Sequence, residues 1–220
     1  MKNNNEAKEF KAFVNGLYDQ LNNPNFTYDE YYAKQNEIVC QIFVSLIRRE
    51  EITWNVLEIA LSRIGRNNTC VFMSRLCAMA HSKLTTEAYT KGVMYAATMK
   101  EMYCSEMKPL FKNKKFDSSL YNDTKAHLPK EVVLYRGCSA NEVSKGKFGF
   151  SWTTDKEVAQ WFAQRTSMFS GKDTVICTCK ANVDDIIAYV DNRNEKECIF
   201  LKPKDVKVCD KVLYSDVKAA

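Results

Sequence analysis

Between Thr27 and Met107 apolar side chains recur at every third or fourth position, and beyond Pro129 the period shortens to two. Thr27 followed by Glu30 has the spacing of a capping box, and it opens a predicted helix with Val39, Ile42, Phe43, Leu46 and Ile47 on one face. Trp54, Leu57, Leu61 and Ile64 form a second stripe, with Gly65 as its expected C-terminal cap. Asn68 or Thr69 starts a third helix carrying Phe72, Leu76 and Met79; a fourth runs from about Thr86 to Met107 and ends before Pro109. These stripes read as core packing, since an amphipathic helix must bury one face. Lys, Asn, Asp and Ser then dominate between Lys108 and Lys130, as in a linker or crossover.

The second half reads as short strands around one helix. Val132 to Tyr135 forms a strand ending at Arg136-Gly137, and Phe148 to Trp152 forms another. Thr154 with Glu157 suggests a second capping box, starting a helix that buries Val158, Trp161 and Phe162. Strands follow at Thr174–Lys180, Ile186–Val190, Glu197–Leu201 and Val206–Val208. The predicted class is α+β: a helical, bundle-like region over 1–108, a linker over 109–129, and a mixed α/β unit over 130–220.

Composition narrows the class. At 220 residues, 45% hydrophobic and 12% aromatic, the chain can bury a real core. The N-terminus lacks the apolar run of a signal peptide, and no stretch is long and apolar enough for a membrane span, so a cytoplasmic protein is expected. Nine cysteines are scattered through helical and strand segments without paired Cys-x-x-Cys or histidine spacings. They read as reduced, structural thiols rather than metal ligands. The net charge of +5 is shared almost evenly between the halves, unlike the concentrated basic block of a dedicated nucleic-acid binder.

Three polar features stand at strand ends in the second half. Arg136 leaves an apolar strand; an interior ion pair is the plain reading, and a bidentate grip on phosphate the functional one. Ser151-Trp152-Thr153-Thr154 reads either as strand residues with a helix cap or as the polar edge of a ligand site. Its Trp152 is either core or a flat surface for an aromatic ring. Glu195-Lys196-Glu197 opens an apolar strand; such acids often blunt a sheet edge, but alternate residues of an extended segment also present two carboxylates to one cleft.

In this order the three resemble the Arg–Ser–Glu group of mono-ADP-ribosyltransferases, the toxin-like class that uses NAD. Leu134-Tyr135-Arg136-Gly137 is similar to the arginine block. Gly149-Phe150-Ser151-Trp152-Thr153-Thr154, followed by Ala159-Gln160-Trp161-Phe162-Ala163, is similar to the Ser-Thr-Ser block and its helix. Arg193-Asn194-Glu195-Lys196-Glu197-Cys198-Ile199 is similar to the acid block. The resemblance covers roughly 130–215 and leaves the helical half unassigned. The middle block departs from the pattern by placing Trp between its hydroxyls and Thr at its third position.

The resemblance implies cleavage of the nicotinamide–ribose bond of NAD, used as substrate without a metal. It gives Glu197 the ribose, Glu195 the acceptor, Arg136 and Gly137 the phosphate region, and Ser151, Trp152 and Thr153 the nicotinamide pocket. It implies transfer to a macromolecule, with protein arginine favoured over RNA or DNA bases, and a small intracellular toxin or phage-type host modifier controlled by an inhibitor or antitoxin. NAD hydrolysis alone is a further reading, and a non-catalytic binding module, with the acid pair as a charged edge, is a reading of a different class.

Overall fold

A computed structural model describes residues 2–99, 106–191 and 193–219. The chain divides into two compact units, residues 1–117 and 118–220.

The first unit is helical: α1 (Lys2–Asp19), α2 (Tyr28–Ile47), α3 (Trp54–Arg63), α4 (Arg66–Ala80), α5 (Thr86–Met99) and α6 (Met107–Phe111). The capping box at α2 forms as the sequence predicts. Glu30 N donates to Thr27 Oγ1, and the Glu30 carboxylate accepts from Thr27 N. Ile38, Ile42 and Leu46 make the buried stripe of α2. Helix α5 packs between α3 and α4 and buries Ala88, Tyr89, Val93, Met94, Ala96 and Ala97.

Several helix limits differ from the sequence reading. Helix α1 was not predicted, although Phe10, Val14 and Leu17 supply a buried stripe at helical spacing. Gly65 does not cap α3, because Ile64 leaves that helix in an extended conformation and Gly65 stands at the N-cap of α4. That helix therefore starts at Arg66, and its Met79 is 65% exposed rather than core. Pro109 lies inside α6 instead of beyond a helix end, which a first turn allows because its N–H groups have no intrahelical acceptors. The continuation of the fourth predicted helix over 100–105 lies outside the described residues.

The second unit begins with 3₁₀ turns at Ser118–Tyr121 and Asp123–Lys125, within the segment read as a linker. The second turn is tied down by Lys125 Nζ donating to Ile186 O at 2.5 Å and by Tyr189 N donating to Thr124 Oγ1 at 3.1 Å. Then follow β1 (Glu131–Ser139), α7 (Ala140–Ser144), β2 (Ser151–Thr153), α8 (Lys156–Ser170), β3 (Thr174–Asn182), β4 (Ile186–Val190), β5 (Glu197–Phe200), β6 (Lys207–Val212) and α9 (Tyr214–Ala219). The strands form one antiparallel sheet in the order β4-β5-β2-β1-β3-β6, and with the helices this is an α+β fold.

One face of the sheet carries Val132, Leu134, Cys138, Trp152, Cys177, Cys179, Cys198 and Phe200 in a single core. The other is covered by α8, whose Ala159 and Ala163 meet Ile176 and Val212. The contact residues of α8 are small, so helix and strand approach closely. A Cβ on Gly137 of β1 would lie 2.5 Å from the Ala163 amide nitrogen and against the Ala159 carbonyl. Consequently Trp161, predicted to be buried, is 51% exposed, while Ala159, Ala163 and Ser167 are the buried positions of α8. The cap of α8 also lies one residue later than predicted, with Asp155 rather than Thr154 accepting from Glu157 N at 2.9 Å.

Among the described residues no helix is long and apolar enough to cross a membrane. The described cysteines are free thiols.

Candidate functional site

The short central strand β2 brings the polar motifs together. It pairs with β1 at Tyr135 and Thr153, and with β5 through Ser151–Ile199, Trp152–Cys198 and Thr153–Glu197. Directly paired residues share a face and alternate residues change it. Ser151, Thr153 and Glu197 therefore lie on one side of the sheet, with Trp152 and Cys198 on the other.

Glu197 is the centre of the group. It opens β5, is only 5% exposed, and accepts a hydrogen bond from Ser151 Oγ on Oε1 at 2.5 Å. Hydroxyl donation to a carboxylate is charge-assisted and holds the acid in one orientation. The charge of Glu197 is felt by its neighbour: burial first, then that carboxylate, push the Cys198 thiol up to about 12.

Thr153 fixes main chain rather than the acid. Its Oγ1 donates to Glu195 O at 2.8 Å and accepts from Asp155 N at 3.0 Å. Thr154 N donates to Lys196 O at 3.2 Å, and Lys196 Nζ donates to Asp155 Oδ2 at 2.8 Å. The turn before β5 is thereby strapped to the β2–α8 junction by backbone, hydroxyl and ion pair. The lysine holds the Asp155 carboxyl below the usual carboxylate range, and the aspartate in turn raises Lys196.

The turn itself is not extended. Asn194 and Lys196 have φ of 56° and 44°, in the left-handed region. Strand β5 begins only at Glu197, so simple alternation does not explain how the two acids meet. They meet through Arg193, whose Nη2 is 2.7 Å from Glu195 Oε2 and 4.0 Å from Glu197 Oε2. Asp191 closes the turn by accepting from Lys196 N at 3.0 Å.

Arg136 joins the group through main chain. Strand β1 continues past it to Ser139 instead of ending there, and Arg136 pairs with Cys177 in the strand interior. Its Nη1 donates to Ser151 O at 2.7 Å, while Nε and Nη2 donate to Glu142 Oε2 at 3.1 and 2.8 Å. The same Glu142 oxygen accepts from Gly149 N at 3.2 Å. Gly149 is the seat of this guanidinium, because a Cβ there would lie 2.5 Å from Arg136 Nη2. The interior ion pair is thus a fact of Arg136, and Glu142 is its partner.

Two predicted site residues have other roles. Trp152 is 2% exposed, packs against Phe148 and Phe200, and donates from Nε1 to Gly149 O at 3.2 Å. It is a core residue and offers no surface to a ligand, because the pleat that turns Ser151 and Thr153 to one face turns it to the other. Gly137 lies beneath α8, where it permits helix–strand contact rather than approach of a phosphate.

Sequence reasoning missed Glu142, Asp155 and Arg193 as members of the group. Asp155 had a visible signal, an Asx residue two positions before Glu157. Glu142 had none, since an ion pair between elements has no fixed spacing; Arg193 stands in the quoted acid block, but its pairing with both acids depends on the left-handed path of its own turn. Among the described residues no group of three His, Cys, Asp or Glu is placed to hold a metal ion. Comparison of the chain with protein-family models, with curated proteins and with solved structures gives no match.

Proposed function

We propose that this chain is a mono-ADP-ribosyltransferase that cleaves NAD at the nicotinamide–ribose bond and passes ADP-ribose to a macromolecular acceptor, with a protein arginine favoured. The observation that carries the reading is the Ser151–Glu197 hydrogen bond: a buried carboxylate at the head of the strand that follows the acid turn, oriented by a hydroxyl on β2, the strand next to that of Arg136. The motif order Arg, Ser-x-Thr, Glu-x-Glu supports it independently.

The chemistry fits the residues. As the bond between nicotinamide nitrogen and the anomeric carbon breaks, its electron pair goes to nicotinamide and positive charge develops on the ribose. A fixed carboxylate facing that ring stabilises charge present only on the way to the transition state. Glu197 has that role. Being held already, it needs no reorganisation as the charge appears. Glu195, less buried on the turn, takes the acceptor's proton as the new bond forms. Thr153 and the Lys196–Asp155 pair are positioning residues for that turn. Arg136 directs three of its N–H groups to Glu142 and Ser151 from the sheet face it shares with Cys177, opposite that of Glu197, so its part is to prop β2.

The test is incubation of the full chain with labelled NAD and cell extract, followed by protease or nuclease. Label released by protease supports the protein reading. Label released only by nuclease moves the acceptor to RNA or DNA, and free ADP-ribose without labelled macromolecule makes the chain an NAD hydrolase. Intact NAD after prolonged incubation contradicts an enzyme of this kind and leaves the acid pair a charged strand edge.

A further inference from the structure

Arg193 has no part in the reaction just described, yet its guanidinium lies beside both carboxylates that the reaction requires. Nη2 donates to Glu195 Oε2 at 2.7 Å and stands 4.0 Å from Glu197 Oε2. An ion pair between neighbouring surface residues would ordinarily contribute little. Here one nitrogen reaches the acid assigned to the acceptor and approaches the buried acid assigned to the ribose, with side-chain exposures of 21% and 6%.

The turn is built to deliver it. Asp191 caps Lys196 N, Asn194 N donates to Asp191 O at 3.3 Å, and two left-handed residues fold the chain back on itself. The other cation of the turn, Lys196, is paired with Asp155 on the α8 side. Arg193 is therefore the cation that the turn directs to the acid pair.

We infer that Arg193 occupies the acceptor position of its own site and is itself ADP-ribosylated, an inference that rests on the transferase reading. The step balances without an oxidant or a metal. The nicotinamide–ribose bond breaks with its pair on nicotinamide, Arg193 Nη2 supplies the pair for a new bond to the anomeric carbon, and its proton passes to Glu195. That proton leaves as the bond forms, because a free guanidinium does not deprotonate. A tethered nucleophile has a far higher effective concentration than one in solution. Before modification Arg193 competes with an external acceptor; afterwards it carries ADP-ribose over both acids and ends turnover. The site limits itself.

The full chain is incubated with NAD and no other acceptor, and nicotinamide release is followed alongside peptide mapping by mass spectrometry. The expected result is a single ADP-ribosyl group on Arg193, gained at a rate independent of protein concentration, with nicotinamide release slowing as the label saturates. Arg193→Lys should lose the label and release nicotinamide without that slowing. Glu195→Gln keeps Arg193 and should also lose the label, for want of a base. Sustained nicotinamide release with Arg193 unmodified, or equal labelling of Arg193→Lys, overturns the inference and leaves the transferase reading standing. If neither wild type nor Arg193→Lys releases nicotinamide, the transferase reading falls and takes this one with it.

Discussion

Glu197 is a carboxylate in a place where carboxylates are costly. Burying an ionised acid is tolerated only when hydrogen bonds and nearby charge replace water, and here Ser151 and the more distant Arg193 contribute to that. Ser151→Ala removes the hydroxyl donor from a buried acid and should destabilise the fold by roughly 1–3 kcal/mol. Chemical denaturation measures the stability, and nicotinamide release should fall further than stability alone explains, since the acid loses its orientation. A Ser151→Ala protein with unaltered turnover would show that the hydroxyl does not orient Glu197. At this scale the sequence was partly legible. Ser151 and Thr153 were legible as one polar edge, whereas Trp152, open there between core and ligand surface, goes to the core because β2 spans Ser151–Thr153 and its alternation turns the middle residue away from the hydroxyls. The pairing of Arg193 with the acids was illegible for the opposite reason: it depends on two left-handed residues in a turn whose path no periodicity predicts.

Two elements position the acid turn, and both depend on close local fits. Helix α8 rests on β1 at Gly137, where any side chain meets helix backbone. Gly137→Ala should destabilise by about 1–3 kcal/mol, the usual cost of overpacking a filled contact. Gly16 of α1 has open space around its Cβ position, so Gly16→Ala should stabilise by roughly 0.5–1 kcal/mol. Thermal unfolding of the two variants distinguishes them by sign. The second fit is the Asp155–Lys196 strap. Asp155 titrates lower in the folded chain than in the unfolded one, so its contribution is complete above the unfolded value and is lost as pH falls through the folded one. Lys196 titrates higher when folded, so its contribution is complete below the unfolded lysine value and is lost as pH rises through the folded one. The stability gap between wild type and Asp155→Asn should therefore be constant through the neutral range and close on acidification. A gap that persists below the folded value of Asp155 contradicts the strap. Element type was legible where periods were long, as in α2, β3 and β4. Element ends were not: Asp155 displaced Thr154 as cap because an Asx side chain reaches the same amide from one residue later, and Gly65 serves α4 because Ile64 has already left the helical conformation.

For the whole molecule, a helical unit accompanies a sheet unit that holds every residue of the candidate site. The motifs that suggest chemistry and the geometry that would perform it both lie within residues 131–197 of the second unit. The α+β class was legible from the change of period at Pro129, because helices and strands impose different spacings on what must be buried. The strand order was not, since β4 and β5 lie beyond β2 through pairings that no local pattern encodes. The central claim concerns one carboxylate, and one comparison tests it: nicotinamide release from NAD by the full chain and by Glu197→Gln, with NAD binding measured on the same samples. The account predicts that the variant binds NAD but releases no nicotinamide and transfers no ADP-ribose. Turnover by Glu197→Gln equal to that of the wild type would contradict it.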